Sequence, residues 1–290
     1  MRTSTCTTSA PTPRALAETQ DRPVLQLSPT FVAWKSYDQD VAAHLRQLPG
    51  ADAYRAKFAQ WLTGSGASTT DAFSGLPARA LALIPQAMQP HADQVDTGTV
   101  TFVGPCYGTS GQEDGWTRPA DAENVLLISL GSAYTRQPEF CRQCMAAFGD
   151  LPGWHVVLQI GRHTDARELG DIPANVDVRS WVPQRAILEQ ADAFITHAGM
   201  GGCGEGLLAG VPMIAVPQAA EQFLNASRLV ELGVARRIDT LDATAETLRT
   251  ALSELVADPE IALRSTGLRA EARAEGGTTR AADLIEHLLS

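Results

Sequence analysis

The chain has 290 residues, 44% of them hydrophobic and 19% charged, with a formal net charge of −10. That is enough for one large or two medium globular domains with real cores. The acidic balance excludes general nucleic-acid binding and disfavours an anionic membrane surface, and no apolar run approaches the roughly 20 residues of a transmembrane helix.

Residues 1–20 are rich in Ser, Thr and Pro and read as disordered; no apolar stretch follows Arg2, so the segment does not read as a secretory signal. Residues 21–104 read as a partial N-terminal domain. Its predicted strands are Val24–Leu27, Ala80–Ile84 and Val100–Val103, with helices near 38–48 and 51–63. Residues 105–123 combine Gly, Pro and polar side chains, the composition of a linker.

From residue 124 strands and helices alternate. The strands are Val125–Leu130, His155–Ile160, Val176–Trp181, Ala193–Thr196, Met213–Val216 and Val234–Ile238. Their Val, Ile and Leu run with little alternation, as in parallel strands buried on both faces. Helices fall near 136–149, 184–190, 202–210, 220–232, 244–257 and 259–274, with Gly233 at a C-cap position and Pro212 just past a helix end. The fold class is therefore α/β. Residues 124–277 form a complete doubly wound parallel-sheet domain, and a last amphipathic helix occupies 278–290.

The five cysteines, Cys6, Cys106, Cys141, Cys144 and Cys203, make no disulfide framework, and a reducing cytoplasm is the expected location. Cys141-Arg-Gln-Cys144 has metal-pair spacing but lies in a helix with no second pair, so it reads as packing; no metal site is assigned.

The stretch Trp181–Gln222, WVPQRAILEQADAFITHAGMGGCGEGLLAGVPMIAVPQAAEQ, carries the chemistry. The strand AFIT ends at His197, and a glycine-rich turn then opens a helix. Unpaired N–H groups and the positive helix end attract phosphate there. Each residue also has a plainer reading. Trp181 fits a core ring, His197 a satisfied core histidine, Glu205 a dipole-favoured surface acid, and Glu221-Gln222 an exposed helix start.

These motifs, in order with VLQLSPTFVAWKSYDQDVA (24–42), ALIPQAMQPHADQVD (82–96), VTFVG (100–104), LLISLGSAYT (126–135) and LPGWHVVLQIGR (151–162), resemble the two-Rossmann-domain (GT-B type) UDP-glycosyltransferases. Within that family the chain resembles the bacterial macrolide glycosyltransferases of the oleandomycin type. The resemblance implies that Trp181 stacks on uracil, the Val182 backbone reads the base edge, and Gln184 and Glu205 take the ribose. It implies that Ser132, His197, Gly199, Gly201 and Gly202 hold the diphosphate, and that Glu221 and Gln222 bind the donor sugar. Relatives often carry Ser or Thr at the positions of Gly202 and Cys203. A thiol is the weaker donor, so weakened phosphate binding is expected there. Cys203 is not a nucleophile, since the family forms no covalent sugar intermediate.

The implied activity is inverting transfer from a UDP-sugar, UDP-glucose foremost, to a hydroxyl of a macrolide or similar hydrophobic natural product. No cofactor is needed beyond the co-substrate, and in macrolide producers this chemistry confers antibiotic resistance. Relatives use a His just after the first N-terminal strand as base, oriented by an Asp. Here the first acidic residue is Glu18 and the first histidine, His44, lies in a predicted helix; His91 follows no strand-to-helix turn. No catalytic residue is assigned, and the N-terminal domain is expected to be truncated by roughly half, since each βαβ step takes ~30 residues. Two rivals follow. One is a catalytically incompetent nucleotide-sugar-binding remnant or partner subunit, acting as a homodimer or with a complementing N-terminal fragment. The other is a UDP-N-acetylglucosamine epimerase.

Overall fold

Strand-forming runs separated by glycine turns and helices give two parallel sheets, each in its own unit. The computed structural model describes residues 5–7, 19, 24–43, 46–67, 79–108, 115–132 and 135–289. One unit comprises Met1–Cys106 with Glu275–Ser290, the other Tyr107–Ala274.

The first unit holds a four-stranded parallel sheet in the order β1-β2-β3-β4, from Thr5–Thr7, Val24–Ser28, Ala80–Ala82 and Val100–Phe102. Within residues 1–20, Thr5–Thr7 form β1, with Thr5 pairing with Val24 and Thr7 with Gln26; apart from Thr19 the rest of that segment lies outside the described residues. Within the predicted helix 38–48 a π-helical stretch covers Asp38–Ala42, residues 44 and 45 lying outside the described residues, and α1 runs Ala51–Gly64. Leu25, Leu81 and Val103 pack with Ala281, Leu284, Ile285 and Leu288 of the last helix, Gly277–Leu289. That helix, set apart in the sequence reading, is thus part of the first unit's core.

The second unit is a six-stranded parallel sheet. Its strands are β5 (Asn124–Ser129), β6 (Trp154–Gln159), β7 (Val176–Arg179), β8 (Ala193–Thr196), β9 (Met213–Ala215) and β10 (Ala235–Arg237), in the order β10-β9-β8-β5-β6-β7. The chain steps outward from β5 to β7, returns to β8 on the other side of β5, and continues to β10. Helices α2 (Pro138–Phe148), α3 (Gln184–Leu188), α4 (Met200–Ala209), α5 (Gln222–Glu231), α6 (Ala245–Ala257) and α7 (Pro259–Ala274) follow, and the last helix is α8.

On one face Leu126 and Ile128 pack with Phe140 and Phe148 of α2 and Leu248, Leu252 and Leu255 of α6. Val125, Leu127 and Phe194 are equally buried, and alternation turns them to the opposite face. There α4 comes close to the sheet: a Cβ on Gly206 would lie 2.6 Å from the Met213 sulfur. Burial on both faces is why these strands read as unbroken apolar runs.

Of the expected linker, 105–123, the described residues from Tyr107 onward belong to this unit. Arg118 forms an ion pair with Asp192 and donates to the Gln190 carbonyl at 2.8 Å, while Gln190 Nε2 donates to the Trp116 carbonyl at 2.7 Å. Cys141 and Cys144 are buried in α2, and desolvation pushes the Cys141 thiol up to about 11.

Candidate nucleotide-sugar site

β5 and β8 are neighbours whose connections leave toward opposite faces, which makes their C-terminal ends the switch point where open α/β sheets bind ligands. Every residue singled out in the sequence follows a strand's C-terminal end: Ser132 after β5, Trp181 to Gln184 after β7, His197 to Glu205 after β8, and Glu221 and Gln222 after β9.

His197 is the centre of this arrangement. Its ring occupies a slot between two glycines. A Cβ on Gly131 (φ 77°) would lie 2.6 Å from the ring Cε1, and one on Gly199 would collide with Nε2. Gly131 is itself held by its neighbours, its N–H donating to Ser129 Oγ at 3.3 Å and its carbonyl accepting from Gln159 Nε2 at 3.3 Å. Burial pushes the imidazole below its ordinary 6.5, while the Glu221 carboxylate and the Ser129 backbone pull the other way. Nδ1 is buried and makes no hydrogen bond of normal geometry. Burial thus favours the neutral imidazole, and a nearby anion would favour the protonated one.

Ala198 follows with φ 59°, a left-handed conformation that costs a non-glycine residue about 1–3 kcal/mol. It is fully buried and clamped at both ends: its N–H donates to Thr196 Oγ1 at 3.2 Å, and its carbonyl accepts from Asn225 Nδ2 at 3.0 Å. The turn delivers the chain into α4. The first intrahelical bond there runs from the Cys203 N–H to the Gly199 carbonyl, and no side chain caps the helix. The N–H groups of Met200, Gly201 and Gly202 thus stand at the positive end of the helix dipole. Gly201 is exposed, and a Cβ there would meet nothing within 4 Å.

Cys203 is placed differently from the sequence reading. Its side chain is fully buried, desolvation pushes its thiol up to about 12, and its N–H is spent inside the helix. It offers nothing to a ligand. At Gly202 a Cβ would approach Thr196 Oγ1 at 3.0 Å, so the bare glycine leaves that hydroxyl free to serve Ala198.

Gln184 Nε2 donates to the Glu205 carboxylate, joining the start of α3 to the second turn of α4. Burial raises the Glu205 carboxyl above its ordinary 4.5, opposed by the Gln184 hydrogen bond and the Arg185 charge. Glu205 also borders a cavity of about 170 Å³ lined by Tyr107, Arg185 and Arg273, not by His197. Trp181 presents its ring to solvent, 61% exposed, while the Val182 side chain is buried. Ser132 is exposed beside Gly131.

Glu221 is exposed and close enough to His197 to act on its charge. Gln222, only 6% exposed, turns its oxygen inward to accept from the Gln218 N–H at 2.9 Å and the Ala219 N–H at 3.2 Å. Its oxygen belongs to the loop, and only the amide nitrogen is left for a sugar. Gly131, Thr196 and Asn225 escaped the sequence reading. Asn225 did leave a signal, a polar residue at the 222, 225, 226, 229 spacing of the buried face of α5.

Among the described residues no cluster of His, Cys, Asp or Glu could hold a metal ion, and no helix is long and apolar enough to cross a membrane. Residues 109–266 match the family model described as UDP-glucoronosyl and UDP-glucosyl transferase. The chain is 54% identical to an oleandomycin glycosyltransferase of Streptomyces antibioticus over 94% of its own length, and 38% identical over 72% to the NDP-glycosyltransferase YjiC of Bacillus licheniformis. It spans 65% and 53% of those two relatives' lengths. A crystal structure of the glycotransferase of kitacinnamycin superposes with a TM-score of 0.89 at 49% identity, covering 97% of this chain and 74% of that one. With the switch-point site already in place, these matches make the chain a member of the UDP-glucuronosyl and UDP-glucosyl transferase family, with GT-B glycosyltransferases as its structural neighbours.

Proposed function

We propose that this chain binds a UDP-sugar, UDP-glucose foremost, for inverting transfer of the sugar to a hydroxyl of a macrolide or similar hydrophobic natural product. The supporting observation is the meeting, at one switch point, of an uncapped helix N-terminus with an imidazole set between two glycines. As the bond from the sugar C1 to the diphosphate breaks, negative charge grows on the leaving phosphate. The N–H groups of α4 and the His197 ring would stabilise that charge. Gln184 and Glu205 would take the ribose hydroxyls, Trp181 would stack on the base for about 1–3 kcal/mol, and Glu221 with the Gln222 amide would hold the sugar. The name of the Streptomyces relative supports a macrolide acceptor.

A second reading is a chain that binds the donor without turning it over alone. It is favoured by the placement of His91, which stands on a turn with φ 48°, its ring 5.2 Å from Trp34, after no strand end. His44 lies outside the described residues.

Titration calorimetry with UDP and UDP-glucose tests donor binding, with Trp181→Ala expected to weaken it about 5- to 150-fold. No binding by the wild-type chain would reject the site. Incubation with UDP-glucose and a macrolide, followed by mass spectrometry, separates the two readings, since only the first produces a glucosylated macrolide.

A further inference from the structure

We infer that Asn225 is the positioning residue of the diphosphate cradle, acting through the Ala198 carbonyl; the inference rests on the donor-site reading above. Asn225 is 2% exposed and so presents almost no surface to a ligand. Its amide instead reaches across from α5 to the one non-glycine residue in the phosphate turn with a left-handed backbone.

Ala198 needs that hold. Its conformation is disfavoured for an L side chain, and its carbonyl is buried, so without Asn225 it would be an unpaired acceptor. Thr196 fixes the N–H side of the same residue. Together the two hydrogen bonds set the path of the chain between His197 and Gly199. That path decides whether the His197 ring enters its slot and where the N–H groups of α4 point.

Asn225 also lies one turn beyond Glu221 and Gln222 on α5. The same side chain therefore ties the helix that would carry the sugar contacts to the turn that carries the phosphate contacts. Trp181 and Gln184 follow β7, away from this bond, while Glu205, although on α4, lies beyond the helix's first turn and is held to Gln184. Loss of Asn225 should thus remove the diphosphate's share of binding and leave the nucleoside's.

The test compares UDP with uridine, by calorimetry or by competition, on wild type, Asn225→Ala and Asn225→Leu, the last keeping the volume while dropping the donor. We expect UDP affinity to fall at least about tenfold, as loss of a buried hydrogen bond implies, with uridine affinity unchanged within about twofold. Adding Ala198→Gly, which frees the turn from its backbone penalty, should restore much of the UDP affinity. A purely packing role would be spared in the Leu variant and would gain nothing from the glycine. Equal losses for UDP and uridine, unchanged UDP affinity in a folded Asn225 variant, or no rescue by Ala198→Gly would each overturn the inference. If the single variants do not fold, UDP binding by the double variant is expected and its absence is the refutation. Failure of the wild-type chain to bind UDP would instead count against the donor site itself.

Discussion

The His197 ring stands where a side chain on Gly131 would have to be, 2.6 Å from the Cβ that any other residue would carry there. One strand's terminal glycine thereby sets the ring borne by its neighbour across the switch point. Gly131→Ala should push the ring out of its slot and strain a backbone at φ 77°. A stability loss of about 1–3 kcal/mol in denaturant titration is expected. UDP affinity should fall in the same variant, by calorimetry under native conditions.

The buried imidazole makes both stability and binding pH-dependent, with opposite signs. Because burial lowers the native value below 6.5, the unfolded chain takes up that proton first as pH falls. Native stability from this group is therefore full above 6.5 and declines as pH falls from 6.5 toward the lowered native value. His197→Gln should remove this part of the decline. UDP should reverse the preference, since a diphosphate beside the ring favours imidazolium. Wild type should then take up more proton on binding than His197→Gln at about pH 6, measured by calorimetry in buffers of different ionisation heat. Equal uptake in the two would count against contact between ring and phosphate.

Glu205 carries a carboxylate raised by burial, so its ionised form costs native stability as pH rises through its raised native value. Glu205→Gln should leave the protein at least as stable at pH 7. It should also lose much of the preference for UDP over 2′-deoxy-UDP, a difference of about 1–3 kcal/mol if the ribose hydroxyls meet this side chain. Paired affinity measurements on the two nucleotides check it.

At Gly201 a new side chain meets nothing, and a carboxylate suits the helix end. Gly201→Asp should keep or slightly raise thermal stability, by about 0.3–1 kcal/mol, while repelling the diphosphate and abolishing measurable UDP binding. Retained UDP binding would move the phosphate away from α4.

Cys203→Ser tests the reading that a hydroxyl at this position would help the phosphate. The side chain is fully buried, so the variant should lose about 1–3 kcal/mol of stability and gain no UDP affinity. Thermal unfolding and calorimetry on one preparation decide it.

The second unit was legible in the sequence because its strands are buried on both faces and leave unbroken apolar runs, while the turn after β8 announces itself by glycine. Trp181, Gln184, His197 and Glu205 came from the same stretch, and the structure places them all after strand C-termini, with Gln184 bonded to Glu205. Other features depended on neighbours distant in sequence. Thr5–Thr7 becomes a strand only because Val24–Gln26 lies alongside. The same holds for the packing of α8 with β2 and β3, the inward turn of the Gln222 oxygen, and the burial of Cys203 against the sheet. Asn225 and Ala198 are 27 residues apart, and neither residue type signals such a bond alone.

The packing of Ala281, Leu284, Ile285 and Leu288 against Leu25, Leu81 and Val103 also orders events during synthesis. The second unit, Tyr107–Ala274, is continuous in the chain and can fold as it emerges from the ribosome. The first emerges earlier yet must hold its apolar surface open until the 13 residues of α8 are made. The first unit is thus closed by a segment that follows the second in the chain, and its strands Val24–Ser28 and Ala80–Ala82 wait for α8 to cover them.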